Sequence, residues 1–442
     1  MIFSQLLSKL KSQKANWTLE AARAWRSLRE RRIPFCLLVA TLLRSIHRRS
    51  SSRNSSAVEV PRKILVIRLD AMGDLVMSTL IFRELKSRYP SASVTAVIQK
   101  GNRDLLETNP YVERILHPPV IHKSRLLQRM RREYSIIVLY WKHLRKEHFD
   151  VALQPRLGPD FYEANLLLKL VDAPVSLKYV DRAQKGLAGK IANAAFRSMT
   201  NLPERKAQHE VLSNAALIEH LTGHRCTSQP EIFITEEDRE YAERMIANIE
   251  SGSTIICIAF GAQAMKRSWP LERWAEVIRR LAEHREIFAL LICSRAELGE
   301  GERLQSMLDV ESRLVSGARL REAAACIEIC DLFMGTDSGL AHLAAAVGCL
   351  PLVVSPHPAK GDPDHGNSPV RFRPWSERAR VIQPDRGSSP CQMGCDAIEP
   401  HCILQITPEQ VARSCDTMLL SVRRMERLNT RPAEVNDGAW KA

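Results

Sequence analysis

The sequence predicts an α/β protein with two doubly wound, parallel-sheet domains. Two strand–loop–helix motifs carry this prediction, Lys63–Leu85 (KILVIRLDAMGDLVMSTLIFREL) and Phe333–Val347 (FMGTDSGLAHLAAAV). Around them, short apolar runs alternate with segments whose apolar residues recur at helical spacing. Such repeated alternation is typical of a parallel sheet covered by helices on both faces. Each motif therefore predicts one sheet with a polar loop at the carboxyl ends of its strands.

The chain has 442 residues, too many for one ordinary hydrophobic core. We predict a basic amphipathic extension over residues 1–60, an N-terminal Rossmann-like domain over 61–235, a C-terminal Rossmann-like domain over 236–405, and a helix with a tail over 406–442. The longest apolar run, Ile33–Leu43, is too short to span a bilayer and is followed by arginines. We therefore predict neither a transmembrane helix nor a signal peptide.

The first 60 residues hold much of the net charge of +14. They contain twelve Lys or Arg against three acids, and 12 − 3 gives a local charge of +9. Basic residues interleaved with Leu and Trp suit an anionic membrane surface. A solvated extension is the alternative, and nucleic acid ranks lower because nothing downstream resembles a nucleic-acid-binding module. The apolar residues are Leu6, Leu7, Leu10, Trp17, Leu19, Trp25 and Leu28.

The first motif reads as a strand buried on both faces, Ile64–Leu69, followed by a helix that starts near Asp74. Gly73 leaves room for another molecule to approach the backbone. Asp74 lies where the helix begins, so its carboxylate is a candidate base. Alternatively, it only stabilises the helix dipole. Asp70 belongs to the same loop.

The second motif reads as a strand that stops at Thr336 and Asp337, turns on Ser338 and Gly339, and continues as an Ala-rich helix. The N–H groups at such a helix start, together with the Ser338 hydroxyl, form a phosphate site. Asp337 suits accepting hydrogen bonds from hydroxyls or amines beside the phosphates. The alternative is an N-cap with a glycine for close packing.

Other segments fill in the alternation. Residues 124–148 are strongly basic and read as a long helix, whereas 158–207 have little pattern and read as irregular. Further strands are predicted at 93–98, 112–116, 150–154, 254–259, 287–293, 313–315 and 350–355. Further helices are predicted at 209–221, 271–283, 297–308, 320–329 and 408–420.

The two motifs resemble glycosyltransferase family 9, the ADP-heptose heptosyltransferases of lipopolysaccharide assembly. A third block, Phe260–Trp274 (FGAQAMKRSWPLERW), resembles that family's basic residue before Trp-Pro. The resemblance runs from about Lys63 to about Leu420. It implies a GT-B fold, with the two domains facing each other across a cleft. The N-terminal domain would then hold the acceptor and the C-terminal domain the nucleotide sugar.

The resemblance also implies roles for particular residues. Asp74 would be the catalytic base of an inverting transfer, with Asp70 and Gly73 in the acceptor-side loop. Asp70 is either a neighbouring acid that raises the basicity of Asp74 or a loop cap. Either Lys266 or Arg267 would reach the diphosphate, and Gln263 departs from the hydroxyl residue common in the family. The predicted donor-binding residues are Lys266, Arg267, Glu297, Thr336, Asp337, Ser338, Gly339, Leu340 and His342. For His342 the alternative is a core or hydrogen-bonding histidine.

We predict no cofactor and no metal, because no paired acids stand near the phosphate motif. Cys391, Cys395 and Cys402, with His401, do not have the spacing of structural zinc knuckles, so we interpret them as a packed thiol cluster. The expected partners are a nucleotide sugar, most simply ADP-heptose, an anionic lipid-linked or core-saccharide acceptor, and an anionic membrane surface at the cytoplasmic face. The alternatives are a nucleotide-sugar epimerase and a non-catalytic membrane-associated adaptor.

Overall fold

The computed structural model describes residues 60–120, 128–158, 160–179, 200–202, 207–262, 264–389, 391, 393–394 and 397–429. The predicted membrane-binding extension lies outside these residues except for Val60, and so do Gln263 and Cys395.

The described strands form two parallel sheets of six strands each. The first sheet has the order β3-β2-β1-β4-β5-β6, and Val66 of its central strand pairs with both Ala96 and Leu153. Its strands are β1 Lys63–Arg68, β2 Ser93–Ile98, β3 Arg114–Leu116, β4 Val151–Gln154, β5 Val175–Tyr179 and β6 Thr200–Leu202.

The second sheet has the order β12-β11-β10-β7-β8-β9. In both sheets the strand order reverses once, between β1 and β4 in the first and between β7 and β10 in the second. Ligands of open α/β sheets bind beyond the carboxyl ends of the strands at such a reversal. The strands are β7 Thr254–Ala259, β8 Ile287–Cys293, β9 Glu311–Ser316, β10 Leu332–Thr336, β11 Pro351–Val354 and β12 Arg380–Ile382.

Every described strand pairing is parallel. The helices are α1 Met72–Ser78, α2 Leu80–Arg88, α3 Gln128–Leu139, α4 Ala164–Val171, α5 Glu210–Thr222, α6 Glu236–Met245, α7 Leu271–Ala282, α8 Leu298–Ser306, α9 Leu320–Glu328, α10 Gly339–Ala346, α11 Pro369–Phe372 and α12 Pro408–Asn429. Short 3₁₀ turns occur at Lys100–Leu105, Met265–Arg267, Arg295–Glu297 and Cys402–Gln405, and a π turn at Tyr140–Leu144.

Two predictions about the first half of the chain are wrong. Residues 158–207 are not irregular throughout, because α4, β5 and β6 lie there. Helix α4 (ANLLLKLV) is short and mostly buried, and a short apolar run does not by itself distinguish a helix from a buried strand. The basic segment 124–148 is not one long α-helix, since α3 ends at Leu139 and a π turn follows.

The chain divides into two compact units. The first comprises residues up to 70, 85–100 and 112–204, and the second comprises 71–84, 101–111 and 205 onward. The units are thus interleaved along the chain, and α1 belongs with the second sheet.

Each unit has its own core. In the second, the fully buried Trp269 and Trp274 pack against each other and against β7, β8 and β10. The first has an aliphatic core in which α4 covers β1. No helix among the described residues is long and apolar enough to cross a bilayer.

Candidate active site

The strand reversal of the second sheet brings together two predicted donor-binding segments. Thr336 ends β10, and its hydroxyl donates a 2.7 Å hydrogen bond to the carbonyl oxygen of Gly261, which follows the adjacent β7. The side chain of Glu297 lies over the same glycine, since a Cβ atom at Gly261 would be 2.3 Å from Glu297 Oε1. Three segments that are separated in sequence therefore meet at the carboxyl edge of this sheet.

Ser338 is the N-cap residue of α10, with extended backbone angles. The first N–H groups of a helix lack a carbonyl partner one turn earlier. In α10 the Ala341 N–H donates a 3.2 Å hydrogen bond to the Ser338 carbonyl oxygen, which leaves the N–H groups of Gly339 and Leu340 for an anion. Among the described residues, the buried Ser338 hydroxyl makes no hydrogen bond. The turn therefore offers backbone and hydroxyl donors at one point, as the phosphate prediction requires.

Arg267 lies beside this turn. Its Nη1 donates a 3.3 Å hydrogen bond to the Asp337 carbonyl oxygen and lies 3.5 Å from Asp337 Oδ2. Its Nη2 donates to the side-chain oxygen of Asn367. Lys266 precedes Arg267 in the same 3₁₀ turn and is half-buried. The geometry thus places the guanidinium of Arg267 next to the predicted phosphate turn.

Asp337 is a mostly buried carboxyl with charges of both signs near it. Burial raises its pKa, the Arg267 guanidinium opposes that rise, and the negative charge of Asp74 adds to it. The two motif aspartates are therefore close enough to interact electrostatically. This is the first structural link between the two sequence motifs.

The link is made by close packing of α1 and α10 at their N-terminal ends. A Cβ atom at Gly73 would lie 2.6 Å from His342 Cδ2, and one at Gly339 would lie 2.2 Å from Met72 Cε and 3.3 Å from the Gly73 nitrogen. We expected Gly73 to leave room for another molecule, but that space is filled by the His342 ring. Both glycines serve helix contact, and this contact brings the half-buried Asp74, in the first turn of α1, to the start of α10.

His342 is a buried, neutral imidazole. Burial lowers its pKa to about 3, so it carries no charge at neutral pH. Its Nδ1 has no hydrogen-bond partner within the described part of the chain. We predicted it as a donor contact; the structure seats its ring on Gly73, so its observed role is to pack α10 against α1.

Glu297 completes a local capping box. Its Oε2 accepts hydrogen bonds from the Ser294 nitrogen at 2.9 Å and the Ser294 hydroxyl at 2.7 Å. One carboxylate oxygen is thereby fixed, and the other faces Gly261. The side chain is held rigidly at the strand edge, in a position suited to the ribose contact that we predicted.

Asp70 lies in the first unit and forms ion pairs with two arginines. It is buried, with Arg156 Nη1 at 2.9 Å from Oδ1 and Arg68 Nε at 3.3 Å from Oδ2. Two guanidinium groups therefore compensate its buried charge. Sequence reasoning missed Arg156 and Asn367, because neither follows a periodic pattern or a motif.

The predicted thiol cluster is partly observed. Cys391 and Cys402 are buried and lie together with His401. A further cysteine of the second unit, Cys415, is buried in the core of the second sheet.

The model of glycosyltransferase family 9 (heptosyltransferase) matches residues 137–401, more than half of the chain. The chain belongs to glycosyltransferase family 9. It is 24% identical over 376 residues to lipopolysaccharide heptosyltransferase 2 of Escherichia coli K12, across 81% of this chain and 99% of that protein. The corresponding Salmonella typhimurium LT2 protein is 26% identical over 372 residues, across 81% and 98%.

Several solved structures share the fold. The family 9 glycosyltransferase of Veillonella parvula has a TM-score of 0.65 at 20% identity, across 83% of this chain and 100% of that one. E. coli ADP-heptose heptosyltransferase II has a TM-score of 0.59 at 21% identity, across 82% and 99%. An E. coli heptosyltransferase with ADP has a TM-score of 0.57 at 16% identity, across 80% and 99%. The predicted GT-B fold of this family 9 chain is confirmed.

Proposed function

We propose that this chain transfers a heptosyl residue from ADP-heptose to a hydroxyl of the lipopolysaccharide core, or of another lipid-linked saccharide, with inversion at the anomeric carbon. The observation that carries the proposal is the contact between the N-terminal ends of α1 and α10. This contact brings Asp74, a candidate base, close to the Asp337–Gly339 turn, a candidate diphosphate site. The relatives, named as lipopolysaccharide heptosyltransferases, support the sugar and the acceptor class.

The donor side follows from charge. The departing ADP is an anion, and the Gly339 and Leu340 N–H groups, the Ser338 hydroxyl and the Arg267 guanidinium are donors at or beside one turn. Arg267 is now held by Asp337 and Asn367, so a bound phosphate would share a pre-positioned guanidinium. Lys266 adds a second positive charge. These groups stabilise the leaving group, so we propose that the transfer needs no divalent metal.

Asp74 would complete the reaction. Its carboxylate takes the proton from the acceptor hydroxyl as that oxygen bonds to the anomeric carbon, and the bond from that carbon to the ADP oxygen breaks. A single displacement of this kind inverts the anomeric configuration. Glu297 would orient the donor through the ribose hydroxyls. The remaining predicted donor residues, Thr336, Leu340 and His342, would contribute to donor binding mainly by shaping the turn.

The acceptor explains the proposed location. A lipid-linked saccharide lies at a membrane, so we propose that the enzyme works at the cytoplasmic membrane face and that residues 1–60 bind anionic lipid there. The basic residues of α3 suit an anionic acceptor. Two of its arginines have local partners, since Arg132 donates to the Phe161 carbonyl oxygen at 2.7 Å and Arg131 also has a partner.

The test is transfer in vitro. The full chain would be incubated with ADP-heptose and lipopolysaccharide core that lacks heptose, and the product analysed by mass spectrometry and by NMR of the new anomeric centre. We expect one heptose per acceptor with inverted configuration, and ADP release that depends on the acceptor. A rearranged nucleotide sugar without acceptor would instead identify an epimerase. Absence of any turnover with ADP-heptose, while other nucleotide sugars react, would refute the proposed donor.

A further inference from the structure

Two cysteine thiols and an imidazole converge near the carboxyl end of the second unit. Cys391 and Cys402 are buried, and His401 is half-buried. One ligand atom from each of the three residues can be chosen so that all lie within 4.8 Å of one another, and Cys402 Sγ is 3.3 Å from His401 Nδ1. Among the described residues, this is the cluster with the composition of a soft-metal site.

The spacing of these atoms is close to that of a coordination sphere. Around a tetrahedral ion with metal–sulfur bonds of about 2.3 Å, two sulfurs lie roughly 3.8 Å apart and a sulfur and a nitrogen about 3.5 Å apart. The observed distances reach this geometry with side-chain shifts of about 1 Å or less. We propose that Cys391, His401 and Cys402 bind one transition-metal dication, zinc or ferrous iron, in a structural site. A tetrahedral ion keeps a fourth position for a further ligand or water.

The surroundings suit metal-bound thiolates. The Ala397 N–H donates a 3.3 Å hydrogen bond to Cys391 Sγ, the kind of outer contact that steadies a thiolate ligand. A bound dication would deprotonate the thiols that coordinate it and balance the negative charge of the buried thiolates.

A metal ion at this site would hold the segment that follows Cys391 against the loop after β11. Met393 and Gly394, which lie between the two cysteines, pack on the loop after β11, where the Asp362 N–H donates a 2.6 Å hydrogen bond to the Met393 carbonyl oxygen. A Cβ atom at Gly394 would lie 2.5 Å from His365 Cδ2, and His365 Nδ1 accepts from the Asn367 N–H at 3.1 Å. An ion at the cysteines therefore stabilises the loop that carries Asn367. This role differs from catalysis, so it is compatible with a metal-independent transfer.

For these cysteines, our prediction of no metal depends on their sequence spacing. His401 and Cys402 are adjacent in the sequence, whereas Cys391 comes close to them only in the folded chain. The sequence therefore shows no C-x-x-C pattern.

The experiment measures metal in the full chain, purified without a metal-affinity column. Elemental analysis should find about one zinc or iron per chain, and which of the two is present identifies the natural ion. After chelation, Co²⁺ alone should restore one equivalent, with the absorption of thiolate-to-cobalt charge transfer. The cobalt spectrum is recorded on the wild-type protein, so it tests metal binding by thiolates even if a variant fails to fold.

Variants then assign the ligands. Cys391→Ser, Cys402→Ser and His401→Gln should each reduce bound metal at least about tenfold, since each removes one of three ligands. Cys226→Ser, at a half-buried free thiol elsewhere in the same unit, should leave it unchanged. The proposal is overturned if wild-type protein holds no stoichiometric metal and no cobalt, if the three variants retain it, or if mass spectrometry finds Cys391 and Cys402 joined as a disulfide.

Discussion

Gly73→Ala probes the contact between α1 and α10. The new Cβ atom would lie 2.6 Å from His342 Cδ2, where ordinary contact begins at 3.4 Å, so the helices must separate by 3.4 − 2.6 = 0.8 Å or the ring must move. Overpacking of a buried contact costs about 1–3 kcal/mol. A misplacement of about 1 Å at a catalytic group costs on the order of 10²-fold in rate. We therefore expect reduced stability and a fall of kcat of that order.

The assay combines urea unfolding with steady-state heptosyl transfer. Gly299→Ala is the matched control, because Gly299 is also the second residue of a helix and a Cβ there would meet nothing within 4 Å. His342→Ala removes the ring that the new methyl would strike. The Gly73→Ala/His342→Ala double variant should therefore be more stable than the sum of the single changes predicts, by at least about 1 kcal/mol. If Gly73→Ala behaves like Gly299→Ala, the proposed packing of Asp74 is refuted.

Three further predictions concern charge. Arg267→Ala should weaken ADP binding by calorimetry more than Lys266→Ala, because Arg267 lies beside the phosphate turn; equal, negligible losses would place the diphosphate elsewhere. Burial lowers the pKa of His342 to about 3 and of His209 to about 4. Unfolded histidine titrates near 6.5, so the unfolded state binds more protons below that pH. Stability should then fall by roughly 2 kcal/mol per histidine between pH 8 and pH 5, as urea unfolding would show, and constant stability would contradict neutral burial. Deleting residues 1–60 should abolish sedimentation with anionic liposomes while activity on a soluble acceptor persists, and unchanged sedimentation would remove the membrane role.

Local patterns predicted much of the second sheet. The strands at 254–259 and 287–293 match residue for residue, because an uninterrupted apolar run between polar flanks is characteristic of a buried parallel strand. Helix α6 was missed although its start carries a signal, the capping box between Thr235 and Asp238. This helix is so rich in charged residues that its few apolar residues give only a weak helical pattern.

Contacts between distant segments could not be predicted in this way. Nothing in the spacing of Gly73 and His342 says that the two touch, or that Asn367 accepts from Arg267. Both contacts depend on how α10 and the loop after β11 pack, which is decided by the whole second unit. The motifs thus indicated which residues to examine, and the fold determined which of them meet. The roles of the site residues in donor and acceptor binding stay predictions.

The most direct test of the central claim is the turnover of Asp74→Asn with ADP-heptose and a heptose-deficient core acceptor, measured beside its affinity for ADP. Asparagine keeps the size of the side chain in the first turn of α1, but it cannot take the proton. We predict that kcat falls by about 10² to 10⁴ while the Kd for ADP stays within about twofold. Turnover at the wild-type rate would contradict the assignment of Asp74 as the base.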